Sequence, residues 1–511
     1  MSDFAPPTRA LPASPNLEQQ KKLARELVTA ARAGDKTAVA RFRAHHPRYT
    51  QTAEDSSDRQ ARSPSLHEAQ LVIAREYGFA SWPTFKHHIE TLTAARQTRI
   101  FVREVSYYQE RAEGLLAVVS DGLEPALAQV RQWHPKLSGA SDEEIRAAGF
   151  TIADARIVYA RQHGFERWSD MLSHLHRLSP SANEEPFLAV FEAGRRGDWP
   201  RISRLLREHP ELVRVGGTNG NTLLNLSCSL SPCAPPRAPD NTAAGDQRLA
   251  AVHFLTAAGA DVAQANDRGW TPLHQAAYRN DPEMAALLTA AHAPVDAVAH
   301  GTGGTPLAVA LFWGHREVSE LLAQVAVVPA NLRIAAGVGR LDAVEGCFAP
   351  NGELTAEARA NRGFYRPHSG FPTWRSSDDR QEIVDEALVW AAKSGRTNVM
   401  PWLLAQGAGV DADPYRGTPL IWAAANGRVE TVTWLLDHGA DVNRRATFGG
   451  PSHGEGVTAL HLAAQDNRVD VIRLLLARGG DHSITDELHG STAAGWAEHC
   501  GASDALTLLK R

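Results

Sequence analysis

The chain has 511 residues, is 43% hydrophobic and carries a formal net charge of -5 at pH 7. This composition supplies ample material for a core, and the slightly acidic balance gives no overall electrostatic drive toward nucleic acid or an anionic membrane. No segment approaches the roughly 18 apolar residues of a membrane span, and the first residues show no basic start before an apolar run. We therefore expect a cytoplasmic protein.

The four cysteines give no sign of a metal site or of a disulfide framework. Only Cys228 and Cys233 lie close together, and no histidine pair stands near them at zinc spacing. Cys347 and Cys500 are isolated in the sequence. We interpret all four as reduced thiols and expect neither a metal nor any other cofactor.

The first part of the chain reads as a short tail followed by helices. Residues 1–16 are rich in Pro, Ala and Ser and lack periodicity, which is typical of a disordered tail. From Leu17, the stretches LEQQKKLARELVTAARAG and KTAVARFRAHHP predict two helices. After a polar connection, LHEAQLVIAREYGFASW predicts a third helix with a short tail.

This helical pattern occurs twice. AQLVIAREYGFASW at 69–82 matches ARIVYARQHGFERW at 155–168, an offset of 86 (155 − 69). The dipeptide His-Pro recurs at His46 and His134 with an offset of 88 (134 − 46), as expected when a connecting loop differs in length. The chain therefore contains an internal duplication that predicts two related helical modules. The predicted modules are 17–96 and 97–180.

Both modules carry the pattern Gly-Phe-x-x-Trp at the end of the third helix. The pattern favours a structural role, in which the glycine ends the helix in a left-handed turn and the aromatic rings fold back over it. The alternative is that the rings stay exposed for a partner. The residues concerned are Gly78, Phe79, Trp82, Gly164, Phe165 and Trp168.

Two basic, histidine-rich pieces of the first module, RFRAHHPR and FKHHIETLTAARQTR, leave nucleic-acid binding open as an alternative function. Such runs are more often a solvated helix face, and the acidic residues Glu26, Asp35 and Glu54 lie nearby. We therefore regard nucleic acid as an unlikely partner.

The clearest unit of a second pattern is RGTPLIWAAANGRVETVTWLLDHGADVN, from Arg416 to Asn443. Thr418 is placed to cap a helix, and Pro419 suits the first helical position because its missing N–H has no partner there. Small alanines follow and allow a neighbouring helix to approach closely. Gly427 supplies a residue that adopts a left-handed conformation and ends this helix.

A second helix follows in the same unit. Val429, Val432, Leu435 and Leu436 form an apolar stripe at helical period, and Gly439 ends it. Neither helix is long enough to be stable alone, so their apolar faces must be buried against a neighbouring copy. The pattern predicts a stacked array.

The unit resembles an ankyrin repeat, and further copies have the spacing of that family. Thr271 and Thr305 begin two TPL units 34 residues apart (305 − 271), and Thr458 and Thr492 are also 34 apart (492 − 458). The usual ankyrin period is about 33 residues. We predict an ankyrin array of some eight or nine units over residues 184–511.

Some units of this array are weak. Those near Asn331 and Glu386 lack the Thr-Pro start. The stretch FEAGRRGDWPRISRLLREHP, which ends in a third His-Pro at His209, resembles a degenerate unit. The N-terminal modules are therefore interpreted as distant relatives of the repeats that they precede. The predicted fold is an all-α ankyrin-repeat solenoid of helix-turn-helix units, preceded by the two related modules.

Three insertions interrupt the array, at about 229–247, 349–380 and 444–456. The first is rich in proline and almost without large apolar side chains, so we expect a mobile loop there. The second lacks helical period and concentrates aromatic residues with arginine, the residue types in which binding energy is concentrated. The third follows Asn443 directly and sits among glycines, as a flexible tip.

The resemblance implies a non-catalytic scaffold that binds another protein through its concave face and loops. We expect a monomer similar to bacterial ankyrin-repeat proteins. The alternative for the second insertion is that its aromatic residues pack onto the solenoid. The candidate contact residues are Tyr365, Arg366, His368, Phe371, Trp374, Tyr415, Arg416, Phe448 and His453.

Catalytic interpretations are weaker. His274 and His461 occupy TPLH-like positions, where the resemblance implies bonds to the helix-start threonine and to neighbouring backbone. The segment 337–339 has only the beginning of a nucleotide-binding glycine pattern. A pocket formed by the insertions remains an alternative, with a metal or a small molecule as ligand. Its residues would be His368, His453, Asp378 and Asp379.

Overall fold

The computed structural model describes most of the chain. The described residues are 17–50, 63–77, 79, 81–94, 102, 104–120, 124–163, 165–177, 186–229, 242–266, 269–299, 303–363, 376–414, 417–447 and 455–510. They are largely α-helical, and within these ranges β-structure is limited to isolated bridges. No helix among them is both long and apolar enough to cross a lipid bilayer. Two compact units result, divided between Pro272 and Leu273.

The first unit begins with the two modules. The first module contains α1 Leu17–Arg32, α2 Lys36–His45, α3 Pro47–Thr50, α4 Leu66–Glu76 and α5 Trp82–Ala94. The second contains α6 Val105–Ser120, α7 Glu124–Trp133, α8 Asp142–Ala147, α9 Ile152–Gln162 and α10 Trp168–Arg177. The expected third helix with a tail is thus two helices in each module, because the chain turns after α4 and after α9 and starts a new helix at the tryptophan.

The two modules repeat their local structure as well as their sequence. Ser65 caps α4 and Thr151 caps α9, each in a reciprocal capping box with an acidic residue three positions on. His46 and His134 end α2 and α7 in the same way, each with Nδ1 accepting a bond from the backbone N–H two residues later, at 3.2 Å and 3.3 Å. The duplication is therefore visible in hydrogen bonds that sequence matching does not consider.

One side-chain contact between helices has different chemistry in the two modules. In the first module Arg41 donates two bonds to Glu76, at 2.6 Å and 2.8 Å. The corresponding residues of the second module, Gln129 (129 − 41 = 88) and Gln162 (162 − 76 = 86), form one neutral bond of 2.8 Å. A partly buried ion pair in one copy is thus matched by a partly buried amide pair in the other.

This pair should show strong coupling in a double-mutant cycle. Arg41→Gln alone leaves the buried Glu76 carboxylate without its bidentate partner, and we expect a loss of about 2 kcal/mol in the free energy of unfolding. Adding Glu76→Gln should recover all but about 1 kcal/mol, since it recreates the amide pair of the second module. Urea denaturation of the four proteins measures this coupling, and additive losses would contradict it.

The first unit continues with two helix pairs. They are α11 Pro186–Arg196 with α12 Trp199–Glu208, and α13 Leu223–Ser229 with α14 Thr242–Ala257. Helix α14 begins inside the expected loop 229–247. The loop assignment is therefore wrong from residue 242 onward, because the helix begins before the apolar residues that mark it in the sequence.

The α11–α12 turn repeats the α1–α2 turn of the first module. Asp35 and Asp198 each follow a left-handed glycine and cap the next helix through their carboxylates, at 2.8 Å and 3.1 Å. His209 ends α12 as His46 ends α2, with its N–H bonded to the carbonyl four residues back. This geometry supports the interpretation that the modules and the repeats are related.

The second unit is a stack of helix pairs. In chain order the pairs are α15 Pro272–Tyr278 with α16 Pro282–Ala290, α17 Pro306–Trp313 with α18 Arg316–Val325, α19 Leu332–Val338 with α20 Leu341–Glu345, α22 Arg380–Ser394 with α23 Met400–Ala405, α24 Pro419–Ala425 with α25 Val429–Asp437, α26 Ala459–Gln465 with α27 Val469–Ala477, and α28 Ala493–Cys500 with α29 Ser503–Leu509. An extra helix, α21 Ala356–Arg359, lies between α20 and α22. Buried side chains from Leu332 to Leu509 form one continuous apolar core.

The predicted start of the repeat is confirmed. Thr418 accepts a bond from Ile421 N at 3.3 Å, and Pro419 is the first residue of α24. Gly427 follows that helix with φ of 68°, in the left-handed region. Of the predicted stripe on α25, Val432 and Leu435 are fully buried, but Val429 is 41% exposed. Val429 is the first residue of this helix, and Leu436 is partly buried and packs against the core.

Candidate functional site

All nine candidate contact residues lie outside the described residues, in the segments 364–375, 415–416 and 448–454. The structure therefore does not test whether these side chains meet. It does describe the residues that flank each segment. These flanking residues form the stem of each segment, and their contacts show how firmly the stem is held to the repeat stack.

The stem of the segment 364–375 is held by a buried charge network. Arg362, just before the segment, is 3% exposed. It donates to Glu386 at 2.7 Å and to Glu382 at 2.8 Å, both on α22. On the other side, the backbone N–H and hydroxyl of Ser377 donate to Glu382 at 2.9 Å and 2.7 Å. Arg362 also donates to the carbonyl of Ser377. Both ends of the segment are thus fixed to α22.

A second arginine completes this network. Arg333, on α19, is 2% exposed and donates to the other oxygen of Glu386 at 2.7 Å. Its guanidinium carbon lies 4.7 Å from the centre of the Trp390 ring, which adds a cation–π contact. One carboxylate therefore serves two buried arginines, and the charge is held inside the repeat stack.

Asp413 joins the stems of the other two segments. Its carboxylate accepts a bond from Gly417 N at 2.6 Å, directly after the segment 415–416. It also accepts from the N–H and hydroxyl of Thr447, at 2.9 Å and 2.8 Å, directly before the segment 448–454. A single side chain thus joins the described residues that flank two candidate segments.

The segment 448–454 also has a closed base. Ala446 and Val457 form an antiparallel bridge, with Ala446 N donating to Val457 O at 2.9 Å. Arg445 crosses from this base to the next repeat, where it donates to the carbonyl of Thr485 at 3.1 Å. The base is therefore part of the stack.

The insertion assigned to 349–380 is only partly irregular. Phe348 and Leu354 form an isolated bridge, and Thr355 caps α21. Helix α22 begins at Arg380, before the repeat start placed near Glu386. Asp379 caps this helix through its carboxylate, while the carbonyl of Asp378 accepts from Arg359 at 2.8 Å. The first turns of α22 carry the carboxylates of the charge network, and this accounts for the extra length.

Sequence reasoning missed a series of arginines that connect successive repeats. Each arginine follows the glycine or asparagine that comes after the first helix of its helix pair. It donates to a backbone carbonyl near the end of the first helix of an earlier pair. Arg396 reaches Gly337 at 3.2 Å, and Arg468 reaches Ala425 at 3.0 Å. The recurring dipeptide, Gly-Arg or Asn-Arg, was the signal available in the sequence. Its partners become visible only once the repeats are stacked.

Arg428 occupies the centre of this series. It donates to the carbonyl of Gly314 at 2.7 Å and to that of Lys393 at 3.3 Å. Burial lowers the pKa of its guanidinium, and the neighbouring arginines lower it further. Its role is to close helix ends from two other repeats.

Lys393 begins the tripeptide Lys-Ser-Gly at 393–395, which has the ending of a phosphate-binding loop but lacks the upstream glycine. Lys393 is 3% exposed and serves the core. Its ammonium group donates to the carbonyl of Phe312 at 2.8 Å and lies 3.9 Å from the centre of the Trp422 ring. Gly339 of the other glycine pattern has φ of 83° and ends α19. Neither pattern forms a phosphate loop.

The two TPLH histidines are structural, as expected. His461 Nδ1 lies 3.0 Å from Thr458 Oγ1, and its Nε2 lies 3.1 Å from the carbonyl of Ser491 in the next repeat. His274 Nε2 lies 3.0 Å from the carbonyl of Gly304. Burial lowers the pKa of His274 from 6.5 to about 4. Each histidine bonds a repeat to its successor.

His274 should make the second unit less stable in acid. Below its ordinary pKa of 6.5 the unfolded chain binds a proton that folded His274 does not take up until about 4. The stabilisation of the fold by neutral His274 is therefore complete above pH 6.5 and is lost as the pH falls toward 4. We expect His274→Gln to lose less stability than the wild type between about pH 7 and about pH 5, measured by urea denaturation. An equal loss in both proteins would contradict this.

The alternative functions gain no geometric support from the described residues. No group of three or more potential metal ligands occurs among them. In the first module Lys21, Arg41 and Arg48 all pair with carboxylates, which reduces the positive charge available to nucleic acid. The three described cysteines, Cys228, Cys347 and Cys500, are free thiols.

The second unit, a stack of helix pairs with a shared core and bonds from each repeat to the next, defines a helical repeat protein. Residues 241–331 and 375–476 match ankyrin repeats. The family model of ankyrin repeats in three copies matches 241–331 and 375–446, and the model of ankyrin repeats in many copies matches 420–476. No curated protein was found to match the chain. Ankyrin repeats are generally modules for protein–protein interaction.

Proposed function

We propose that the protein is a non-catalytic scaffold that binds another protein through the second unit, as a cytoplasmic monomer. The contact surface consists of the concave face of the array together with three segments that extend from it. The contact residues are Tyr365, Arg366, His368, Phe371, Trp374, Tyr415, Arg416, Phe448 and His453.

The observation that carries this proposal is that the residues flanking the segments are bonded to the repeat stack. Burying charges is unfavourable unless they are paired, and the chain places Arg333, Arg362 and Glu386 in its interior at the base of one segment. A loop whose ends are fixed loses less conformational entropy when it binds a partner. The network therefore suits a segment that must be presented in a defined place.

The composition of the segment 364–375 supports the same function. Its sequence, FYRPHSGFPTWR, combines aromatic residues with arginine. These residue types dominate the energetic centres of protein interfaces. Asp413 adds to the argument because it bonds both Gly417 and Thr447, the described residues beside the two smaller segments.

Replacing residues 363–374 by a Gly/Ser linker of equal length tests the proposal. We expect partner proteins captured from the native extract by the wild type to be lost, while the thermal stability is retained. A matched control replaces 230–241, in the proline-rich insertion, by a linker and should keep the partners. The triple variant Arg366→Ala, Phe371→Ala, Trp374→Ala should behave like the linker variant. Equal capture by all four proteins would refute the proposed site, and unfolding of the triple variant would show that these residues are core.

A further inference from the structure

The second unit contains a cluster of arginines that the proposed function does not use. Its members are Arg316, Arg396 and Arg428, which lie where the two helices of a pair meet, in the pairs α17–α18, α22–α23 and α24–α25. Residues 273–511 as a whole contain 20 lysines and arginines and 27 acidic residues, a net charge of -7 (20 − 27). The cluster is therefore a concentration of positive charge on an acidic unit.

The three guanidinium groups converge. Arg316 Nε and Arg396 Nη1 donate to the same oxygen of Glu320, at 2.9 Å and 2.8 Å. Arg316 Nη1 and Arg428 Nε lie 3.8 Å and 3.7 Å from the position that a Cβ would take at Gly395. Because Gly395 has no side chain, these two groups approach each other over its backbone. Arg316 thus lies close to both other arginines.

The contacts of the cluster leave part of its charge uncompensated. Buried Lys393, which donates to the carbonyl of Phe312, adds a fourth positive charge. Against these stand the single carboxylate of Glu320 and the carbonyls at the ends of three helices, α17, α19 and α22. A helix end corresponds to about half a negative charge, so about 1.5 positive charges remain (4 − 1 − 1.5).

The cluster also keeps hydrogen-bond donors for a ligand. Within the part of the chain that the structure describes, both terminal nitrogens of Arg316, Nη2 of Arg396 and Nη1 of Arg428 have no acceptor. The carbonyl bonds of Arg396 and Arg428 hold their side chains in place. A bound anion therefore has less side-chain freedom to restrict, which favours binding.

The chemistry of the cluster favours a phosphate monoester over a carboxylate. A phosphate group on a serine or threonine carries a charge of about -1.5 to -2 at pH 7 and has three strong acceptor oxygens. A carboxylate carries one charge on two oxygens. The phosphate therefore matches both the remaining positive charge and the convergence of three guanidinium groups, which bind phosphate oxygens in a planar fork.

We propose that this cluster binds a phosphorylated serine or threonine of a partner protein. The phosphate oxygens accept bonds from Arg316, Arg396 and Arg428. The side chain of Arg316 is 47% exposed, so the cluster lies at the surface. Free small molecules are usually held in concave pockets that bury most of their surface, whereas a phosphorylated segment adds contacts along its own chain.

This site is separate from the contact surface proposed above. The segments 364–375, 415–416 and 448–454 precede the N-terminal ends of α22, α24 and α26. The arginine cluster lies at the opposite, C-terminal ends of first helices. The linker variant of 363–374 should therefore bind phosphorylated peptides as the wild type does, so the two proposals can fail separately.

The full chain should be screened against three libraries of short degenerate peptides. The first has phosphoserine or phosphothreonine at its centre, the second has serine or threonine there, and the third has glutamate. We expect binding to the first library to exceed binding to the other two by about tenfold or more. Equal binding to all three, or no binding at all, would overturn the proposal.

Competition then tests the source of the phosphate. The probes are phosphatidylcholine vesicles containing a phosphatidylinositol phosphate and a single-stranded DNA oligonucleotide. At equal phosphate concentration neither should displace an enriched phosphopeptide. Displacement by the vesicles would assign the cluster to a membrane surface, and displacement by the oligonucleotide would assign it to nucleic acid. Either result would overturn the proposal.

Two variants with opposite expected effects locate the binding of an enriched phosphopeptide. Arg316→Gln should weaken it at least about tenfold, because it removes a charge and three donors. Glu320→Gln should strengthen it about threefold or more, because it removes the carboxylate that competes for Arg316. The two side chains are 47% and 44% exposed, so both variants should keep the melting temperature of the wild type.

Another exposed pair of the same unit provides the matched controls. Arg478 donates to Asp437 at 2.7 Å, and the two side chains are 38% and 53% exposed. Arg478→Gln and Asp437→Asn make the same changes of charge away from the cluster and should leave the affinity for the phosphopeptide unchanged. Unchanged affinity for Arg316→Gln, or weaker binding by Glu320→Gln, would overturn the proposal.

Discussion

Glu386→Ala is expected to lower the free energy of unfolding of the second unit by about 3 to 5 kcal/mol, because it leaves buried positive charge without its partner. Arg333 and Arg362 both bond this carboxylate at 2.7 Å, and their side chains are 1% and 2% exposed. After the substitution Arg362 keeps Glu382. Arg333 keeps the carbonyl of Asn361 at 3.3 Å and its contact with Trp390. The remaining contacts do not replace a shared carboxylate.

The effect should be local before it is global. Hydrogen exchange should accelerate first in 380–394 and in the flanking residues of the segment 364–375, because the network holds both to the stack. Urea denaturation then gives the overall loss. Glu386→Gln should fall between the wild type and the alanine variant, since the amide retains hydrogen bonding but not the charge.

The exposed pair of Arg340 and Asp342 supplies the control. Its nitrogen–oxygen distance is 2.7 Å, like that of the buried pair, but the two side chains are 53% and 70% exposed. Arg340→Ala should therefore leave the free energy of unfolding close to that of the wild type. If Glu386→Ala and Arg340→Ala had similar effects, the network would not hold the stem of 364–375, and the main support for the proposed binding site would be lost.

The network also shows where sequence reasoning reaches its limit. The helix pattern of the repeat and the Thr418 cap follow from local patterns, because their determinants lie within a few residues of each other. The role of the TPLH histidines was implied by the resemblance, and their bonds to the next repeat span 30 residues. Arg333 and Glu386 are 53 residues apart, and nothing in either local sequence indicates the pairing. The same holds for Asp413 and Thr447, which are 34 residues apart. Such contacts are defined only by the stacking of repeats.

The predicted helix boundaries were wrong where a helix begins before the repeat pattern does. The start of α22 at Arg380 and the start of α14 at Thr242 both lie inside segments expected to be irregular. Proline and aromatic residues predicted that these insertions depart from the repeat. They did not show where the next helix resumes, because helix propensity in the last residues of an insertion competes with the loop. The candidate contact residues in 364–375 remain a prediction.

The Gly-Phe-x-x-Trp pattern of the first module leads to the second large effect. Phe85, on α5, is fully buried and is surrounded by the rings of the pattern and of Tyr77. The ring centre of Phe85 lies 5.0 Å from that of Tyr77, 5.2 Å from that of Phe79 and 5.7 Å from that of Trp82. Phe79 N also closes the end of α4 by donating to Ala74 O at 2.9 Å. The pattern thus builds an aromatic core between α4 and α5.

Phe85→Ala should therefore destabilise the first unit by about 3 to 5 kcal/mol, since it leaves a cavity among rings that cannot collapse into it. The duplicated module provides the control, because Met171 occupies the corresponding position (171 − 85 = 86) and is also fully buried. Phe85→Met should then cost less than about 1.5 kcal/mol. Urea denaturation, with hydrogen exchange over 66–94, measures both variants. Unchanged stability of Phe85→Ala together with a lost partner would instead assign the aromatic residues to binding.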